Sequence, residues 1–242
     1  MWKDKVIIIT GGAHRLGKAM AFRAAELGAH VAFTYHASSE QAQQTCQEIE
    51  ALGRKTLAIR CDQAKPDEIQ TTIAQVVEHF GRIDGLVNSA SYFVQTDLFD
   101  VDPQGWDRVM AINIRGPFFF TQCAAKHMLE DGGGVIINMI DESVIKPSPE
   151  YPDHSIAKAG LWSLTRLSAL RLAPKIRVNA ILPGAVLKPP DWDDARWAAL
   201  KNQNPLRKLG SPEDVCQALE YLLCADFVTG QMIVVEGGAT LY

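Results

Sequence analysis

Apolar residues along this chain fall into short unbroken runs, separated by longer stretches in which they recur every three to four positions. The runs at 6–10, 30–34, 55–61, 85–88, 134–139, 176–181 and 232–235 are short and mostly apolar, often rich in Val and Ile. That composition and length predict strands buried on both faces. Between them the period becomes helical. One helix begins near Leu16, and 39–52 reads as a polar, Gln- and Glu-rich helix with a solvated face. The segment 66–80 carries Ile69, Ile73, Val76, Val77 and Phe80 at helical spacing and stops at Gly81. Further helices are predicted over 104–128, 154–172 and 212–223. Strand and helix alternating in this way predict an α/β protein, a single-domain Rossmann fold over residues 1–242 with a doubly wound parallel sheet of about seven strands. One irregular stretch, 182–194, contains Pro183, Gly184, Pro189 and Pro190 and is long enough to form a substrate lid.

Composition narrows the class of function. A chain of 242 residues, 47% of them hydrophobic, buries one large core. The net charge is −4 and the Lys and Arg residues are scattered, which argues against a nucleic-acid or polybasic membrane surface. Five cysteines with no Cys-x-x-Cys pair read as reduced thiols. Met1 to Asp4 leads straight into the first strand, leaving no room for a signal peptide, and no apolar run approaches a membrane span. The expectation is a soluble cytoplasmic protein whose partner is a small-molecule substrate. His14, His30, His36, His79 and His127 show no metal-ligand spacing and read as surface or loop residues, so no metal is expected.

The chemistry begins where the first strand ends. Thr10, Gly11, Gly12, Ala13, His14, Arg15, Leu16 and Gly17 form a glycine-rich turn between a buried strand and a helix. Glycine permits close backbone approach, and the helix N-terminus presents unpaired N–H groups to an anion, so Gly11, Arg15, Leu16 and Gly17 are candidates for holding a nucleotide phosphate. Arg15 is a permanent cation where many such loops carry another glycine. After the second strand an Asp or Glu would bind the ribose hydroxyls of NAD and repel a 2′-phosphate. This chain has Tyr35, His36, Ala37, Ser38 and Ser39 there, and its first acid is Glu40. His36 and Ser38, with Arg15, therefore favour NADP(H).

Further features follow in order: Asp62 after the third strand, Leu86-Val87-Asn88-Ser89-Ala90 around the end of the fourth, Asn113 in a long helix, the Lys158 helix, Arg177-Val178-Asn179, Pro183-Gly184, and Thr229-Gly230-Gln231. Over essentially its whole length the chain resembles the short-chain dehydrogenase/reductases. The resemblance implies that Asp62 contacts the adenine, Asn88 and Ala90 the adenosine side, Lys158 the nicotinamide ribose, and the backbone from Pro183 through Gly184 to Val186 the carboxamide. It also implies that Asn113 and Lys158 support the cofactor and a proton relay.

Within that family the details are most similar to the pteridine reductases. Arg15 in place of a loop glycine, Ser91 and Phe93 after Asn88-Ser89-Ala90, Asp141 lying 17 residues before Lys158, and Tyr151 lying seven before it all match that subgroup. By resemblance, Arg15, Ser91, Phe93 and Tyr151 surround a planar substrate, and Asp141 stands where ordinary members carry a catalytic serine. The departure is at His154. The family pattern is Tyr-x-x-x-Lys, and here it reads His154-Ser-Ile-Ala-Lys158, still one helical turn apart on one face. Histidine donates a proton nearer neutrality than a phenol does, and an adjacent carboxylate favours the imidazolium, so His154 and Asp141 are expected to form a coupled donor pair.

Two functions from different classes fit these residues. One is NADPH-dependent reduction of a C=O or C=N bond, with a pteridine-like substrate first and a 3-oxoacyl or sugar ketone second. The other is a catalytically impaired NADP(H)-binding sensor or regulatory protein. A homotetramer or homodimer is also expected. Leu161, Trp162, Leu164, Leu167, Leu170 and Leu172 make the Lys158 helix apolar over more than the one stripe a sheet face needs.

Overall fold

The computed structural model describes residues 2–190 and 192–241. Met1, at the head of the expected leaderless start, and Asp191, within the expected lid, lie outside them. The strands are β1 (Val6–Ile9), β2 (His30–Tyr35), β3 (Thr56–Arg60), β4 (Gly85–Asn88), β5 (Gly134–Met139), β6 (Ile176–Pro183) and β7 (Met232–Val235). The helices are α1 (Arg15–Glu26), α2 (Ser39–Ala51), α3 (Pro66–Phe80), α4 (Pro103–Met110), α5 (Gly116–Glu130), α6 (Pro152–Leu172), α7 (Asp194–Ala199) and α8 (Pro212–Cys224). The strands form one sheet in the order β3-β2-β1-β4-β5-β6-β7, and every pair is parallel.

Both sheet faces are covered, which explains the unbroken apolar runs. On one face Ile7, Ile9, Val31 and Phe33 pack under Met20 and Ala24 of α1, Ala42 and Ile49 of α2, and Val215 and Leu219 of α8. On the other, Ile8, Leu86 and Ile136 pack under Ile69 and Ile73 of α3 and Phe120 and Met128 of α5. A smaller cluster joins Leu161 and Leu164 of α6 to Ala180 and Leu182. The chain order reverses between β1 and β4, whose connections leave in opposite directions. A crevice therefore opens beyond the carboxyl ends of the strands at that point.

Three departures from the pattern-based reading bear on the site. Strand β6 runs on to Pro183 because Pro183 pairs with Val235 of β7, a contact invisible to local pattern. The helix expected over 104–128 is two helices joined by a π turn, Ala111–Arg115. Pro117 lacks the N–H that would bond the carbonyl of Asn113 four residues earlier, so the ladder widens there. The irregular stretch ends in a helix, α7, that the prolines obscured. Its cap Asp193 accepts from the N–H of Arg196 at 2.7 Å. Among the described residues no helix is long and apolar enough to cross a membrane.

Candidate active site

A cleft of about 770 Å³ opens above the carboxyl edge of the sheet. Its floor at one end is the glycine-rich turn. Gly11 has φ +70°, and a Cβ on Gly17 would lie 2.2 Å from the Gly11 carbonyl oxygen, so only glycine allows the turn to close this tightly against α1. Thr34 Oγ1 accepts from the Gly11 N–H at 3.1 Å, and Thr10 Oγ1 accepts from the N–H groups of Ser89 and Ala90 at 2.9 and 3.0 Å. Two threonines thus tie the turn and the loop after β4 to the strand ends. Arg15 stands at φ +53°, which costs an L-residue roughly 1 kcal/mol. That is the physical reason glycine suits the position, and retaining arginine under strain points to its guanidinium. Arg15 Nη2 donates to the Lys188 carbonyl at 3.1 Å, bridging from the turn to the segment beyond β6.

At the other end lie the residues of the expected chemistry. Asp141 follows β5 and caps a short 3-10 turn, Glu142–Val144. One carboxylate oxygen, Oδ1, accepts from the backbone N–H of Ser143 at 2.9 Å and from the Ser143 hydroxyl. The other, Oδ2, faces His154 Nε2 at 2.5 Å. His154 sits in the first turn of α6 with its own N–H held by Asp153 Oδ1 at 2.7 Å, and Lys158 lies one turn on. Lys158 is buried and its ammonium donates to the Met139 carbonyl at 2.7 Å. Burial works to raise the Asp141 carboxyl, but the hydrogen bond and charge of His154, the Lys158 ammonium and the Ser143 hydroxyl together bring it down to about 2. Burial pushes the Lys158 ammonium down, opposed by the Asp141 charge. Phe93 covers this end, 55% exposed, with its ring 5.4 Å from that of His154 and edge-on to Tyr151 at 5.8 Å.

The cleft wall includes Gly11, Arg15, Leu16, Gly17, His36, Ser38, Asp62, Ala90, Ser91, Phe93, Asp141, His154, Lys158, Pro183, Gly184 and Val186. Three expected site residues stand back from it. The Asn88 amide donates to Asn138 Oδ1 at 2.8 Å, and Asn138 donates to Thr165 Oγ1 at 2.9 Å. This buried chain links β4, β5 and α6, so the Asn88 side chain supports the sheet end and does not line the cleft. Asn113, in the π turn, accepts from Ser91 Oγ at 2.7 Å and from the Tyr92 N–H at 3.2 Å, and donates to the Tyr92 and Val109 carbonyls. All its side-chain capacity goes to holding the Ser91–Phe93 segment, which makes it a positioning residue and leaves its side chain no free group for a relay. Tyr151 packs behind Phe93 outside the wall.

Sequence reasoning missed Ser143, Gln63 and Arg108. Ser143 was signalled by the Asp-x-Ser spacing of a capped turn. Gln63 lines the cleft and donates to the Ala90 and Ile112 carbonyls at 3.2 and 2.7 Å, clamping the loop after β4 to the π turn. Arg108, also on the wall, stacks 4.3 Å over the Tyr92 ring. No local pattern distinguishes these two from ordinary surface residues.

Residues 11–240 match the family described as enoyl-(acyl carrier protein) reductase. The chain is 34% identical to an L-rhamnose 1-dehydrogenase (NAD(P)(+)) of Sphingomonas sp., over 98% of this chain and 96% of that one. It is also 34% identical to the 3-oxoacyl-[acyl-carrier-protein] reductase FabG of Staphylococcus epidermidis, over 97% and 98%. Among solved structures it is similar to FolM alternative dihydrofolate reductase 1 from Brucella canis complexed with NADP, with a TM-score of 0.92, 30% identity, and coverage of 100% and 96%.

Proposed function

The chain belongs to the short-chain dehydrogenase/reductase family, and from that premise we propose that it is an NADPH-dependent reductase of a C=O or C=N bond in a flat, pteridine-like heterocycle. One observation carries the reading: His154 and Asp141, paired at 2.5 Å, lie on the cleft wall beneath the exposed ring of Phe93. A planar substrate stacks on that ring with its reducible bond over a proton-bearing pair.

The cleft fits a dinucleotide. The Gly11–Gly17 cradle has room for backbone and none for a Cβ at Gly17, which leaves the start of α1 open to a pyrophosphate. The FolM structure from Brucella canis is complexed with NADP, and in this chain NADP(H) would be held by the turn, Asp62, Ala90, Lys158 and the Pro183–Val186 backbone. When bound it supplies the hydride. The protein supplies everything else. Lys158 fixes the ribose end, Phe93 and Ser91 orient the substrate, and the protonated His154–Asp141 pair gives its proton to the substrate atom that gains the electron pair. The loop after β2, with His36 and Ser38 and no acid before Glu40, is open to a 2′-phosphate.

Purified protein with NADPH and a panel of dihydropterins, 3-oxoacyl thioesters and sugar ketones tests this reading. Fastest NADPH oxidation with a dihydropterin is expected. Turnover of only the thioester or sugar, the chemistries named for the two 34%-identical relatives, would replace the substrate assignment. Tight NADPH binding with no turnover of any compound would support the sensor instead. Arg15→Gly should weaken NADPH binding about tenfold while changing stability by less than about 1 kcal/mol, because relief of the positive φ offsets the added backbone freedom. Fluorescence titration and urea unfolding measure the two effects.

A further inference from the structure

A 2′-phosphate is held most strongly by a fixed cation; the loop after β2 has none between residues 35 and 39, and Arg15 of the glycine turn already donates to the Lys188 carbonyl at 3.1 Å. The sheet supplies one from the neighbouring strand. Arg60 ends β3 and pairs in register with Tyr35, the last residue of β2, so their α-carbons stand one strand spacing apart, about 4.8 Å.

Its side chain lies on the face that α2 covers. Thr56 and Ala58 share that face, since Thr56 Oγ1 meets Cys46 Sγ of α2 at 3.9 Å and Ala58 packs into the same core, and side chains alternate along a strand. Helix α2 runs back against β3. From the Cys46–Thr56 contact, four strand residues advance about 13 Å to Arg60, and seven helical residues retreat about 10 Å to Ser39. Arg60 therefore stands level with Ser38 and Ser39, beside the part of the cleft wall formed by Tyr35, His36 and Ser38.

Arg60 is exposed, and no side-chain hydrogen bond or ion pair ties its guanidinium to another described residue. The nearby carboxylate on α3, Glu68, is already engaged: one oxygen accepts from Lys65 at 2.9 Å and the other from the Asp62 N–H at 2.8 Å. We propose that Arg60 is the specificity-determining cation for the cofactor, reaching from β3 to the 2′-phosphate while His36 and Ser38 bind it from β2. This rests on the NADPH preference proposed above and assigns it to a residue outside the loop that normally governs it.

Fluorescence titration of NADPH and NADH against wild type, Arg60→Ala and Arg60→Lys tests the assignment. The wild type should bind NADPH more tightly. Arg60→Ala should lose about tenfold of NADPH affinity with NADH affinity changed less than about twofold, and Arg60→Lys should recover part of the loss. Full discrimination retained in Arg60→Ala would overturn the role of Arg60 and leave the NADPH preference standing. Equal loss for both cofactors would also overturn it, since the effect would not involve the phosphate. Equal affinities in the wild type would overturn the preference itself, and Arg60 with it.

Discussion

Asp141 uses its two oxygens for different tasks, one to anchor the carboxylate to Ser143 and the other to face His154. A carboxyl held at about 2 in the folded chain, against an ordinary 3.8, stabilises the fold above pH ~4 and loses that contribution as pH falls toward 2. Asp141→Asn should therefore cost on the order of 2 kcal/mol at pH 7 and little at pH 2, read from urea midpoints across pH. The same pair sets the kinetic signature. Turnover depends on a proton passing from this pair to the substrate. His154→Ala should lower kcat at least about a hundredfold with NADPH affinity nearly unchanged, measured by steady-state kinetics and fluorescence titration. Ser143→Ala should shift the pH profile and lower kcat more than it moves KM, by freeing the carboxylate to rotate. A pH profile in Ser143→Ala identical to the wild type would remove Ser143 from the site.

At the scale of elements, the π turn is the feature that joins helix to site. Pro117 breaks the regular ladder, and Asn113 in the widened turn holds the Ser91–Phe93 segment through its side-chain amide. Asn113→Ala leaves several buried groups without partners and should cost roughly 3 kcal/mol. Steady-state kinetics should show a larger rise in substrate KM than in cofactor Kd, since the segment carries Phe93. The interiors of β1 to β7 and of the long helices were legible from period and composition. The π turn was not, because its cause is one missing N–H inside an otherwise continuous helical pattern. Helix α7 was also hidden, six residues being too short to display a period after two prolines.

Across the whole molecule, helix α6 is apolar on two sides, one buried and one exposed. Leu161 and Leu164 are buried in the chain's own core, while Leu167 and Leu170 on the same helix are 61% and 83% exposed. Ile156 of α6 and Phe118 of α5 are also exposed, so a monomer would leave these apolar side chains in water. We expect a homo-oligomer, a tetramer or dimer, that covers them. Light scattering at micromolar concentration should give a multiple of the 26.6 kDa chain mass, and Leu170→Glu should reduce it.

Local order in the sequence determined the strand and helix sequence, the parallel sheet, the glycine turn and the spacing of His154 to Lys158, because these depend on side-chain period, glycine conformation and one helical turn. It also supplied the reason to pair Asp141 with His154, although only folding brought Oδ2 and Nε2 to 2.5 Å. The tertiary structure alone decided which polar residues face the cleft. Asn88 and Asn113 carry site-like positions in the sequence and turn their amides to the scaffold, whereas Gln63 and Arg108 have no sequence mark and line the cleft from neighbouring elements. Strand order and register set those placements, and they are contacts between residues far apart in the chain, which no local pattern encodes.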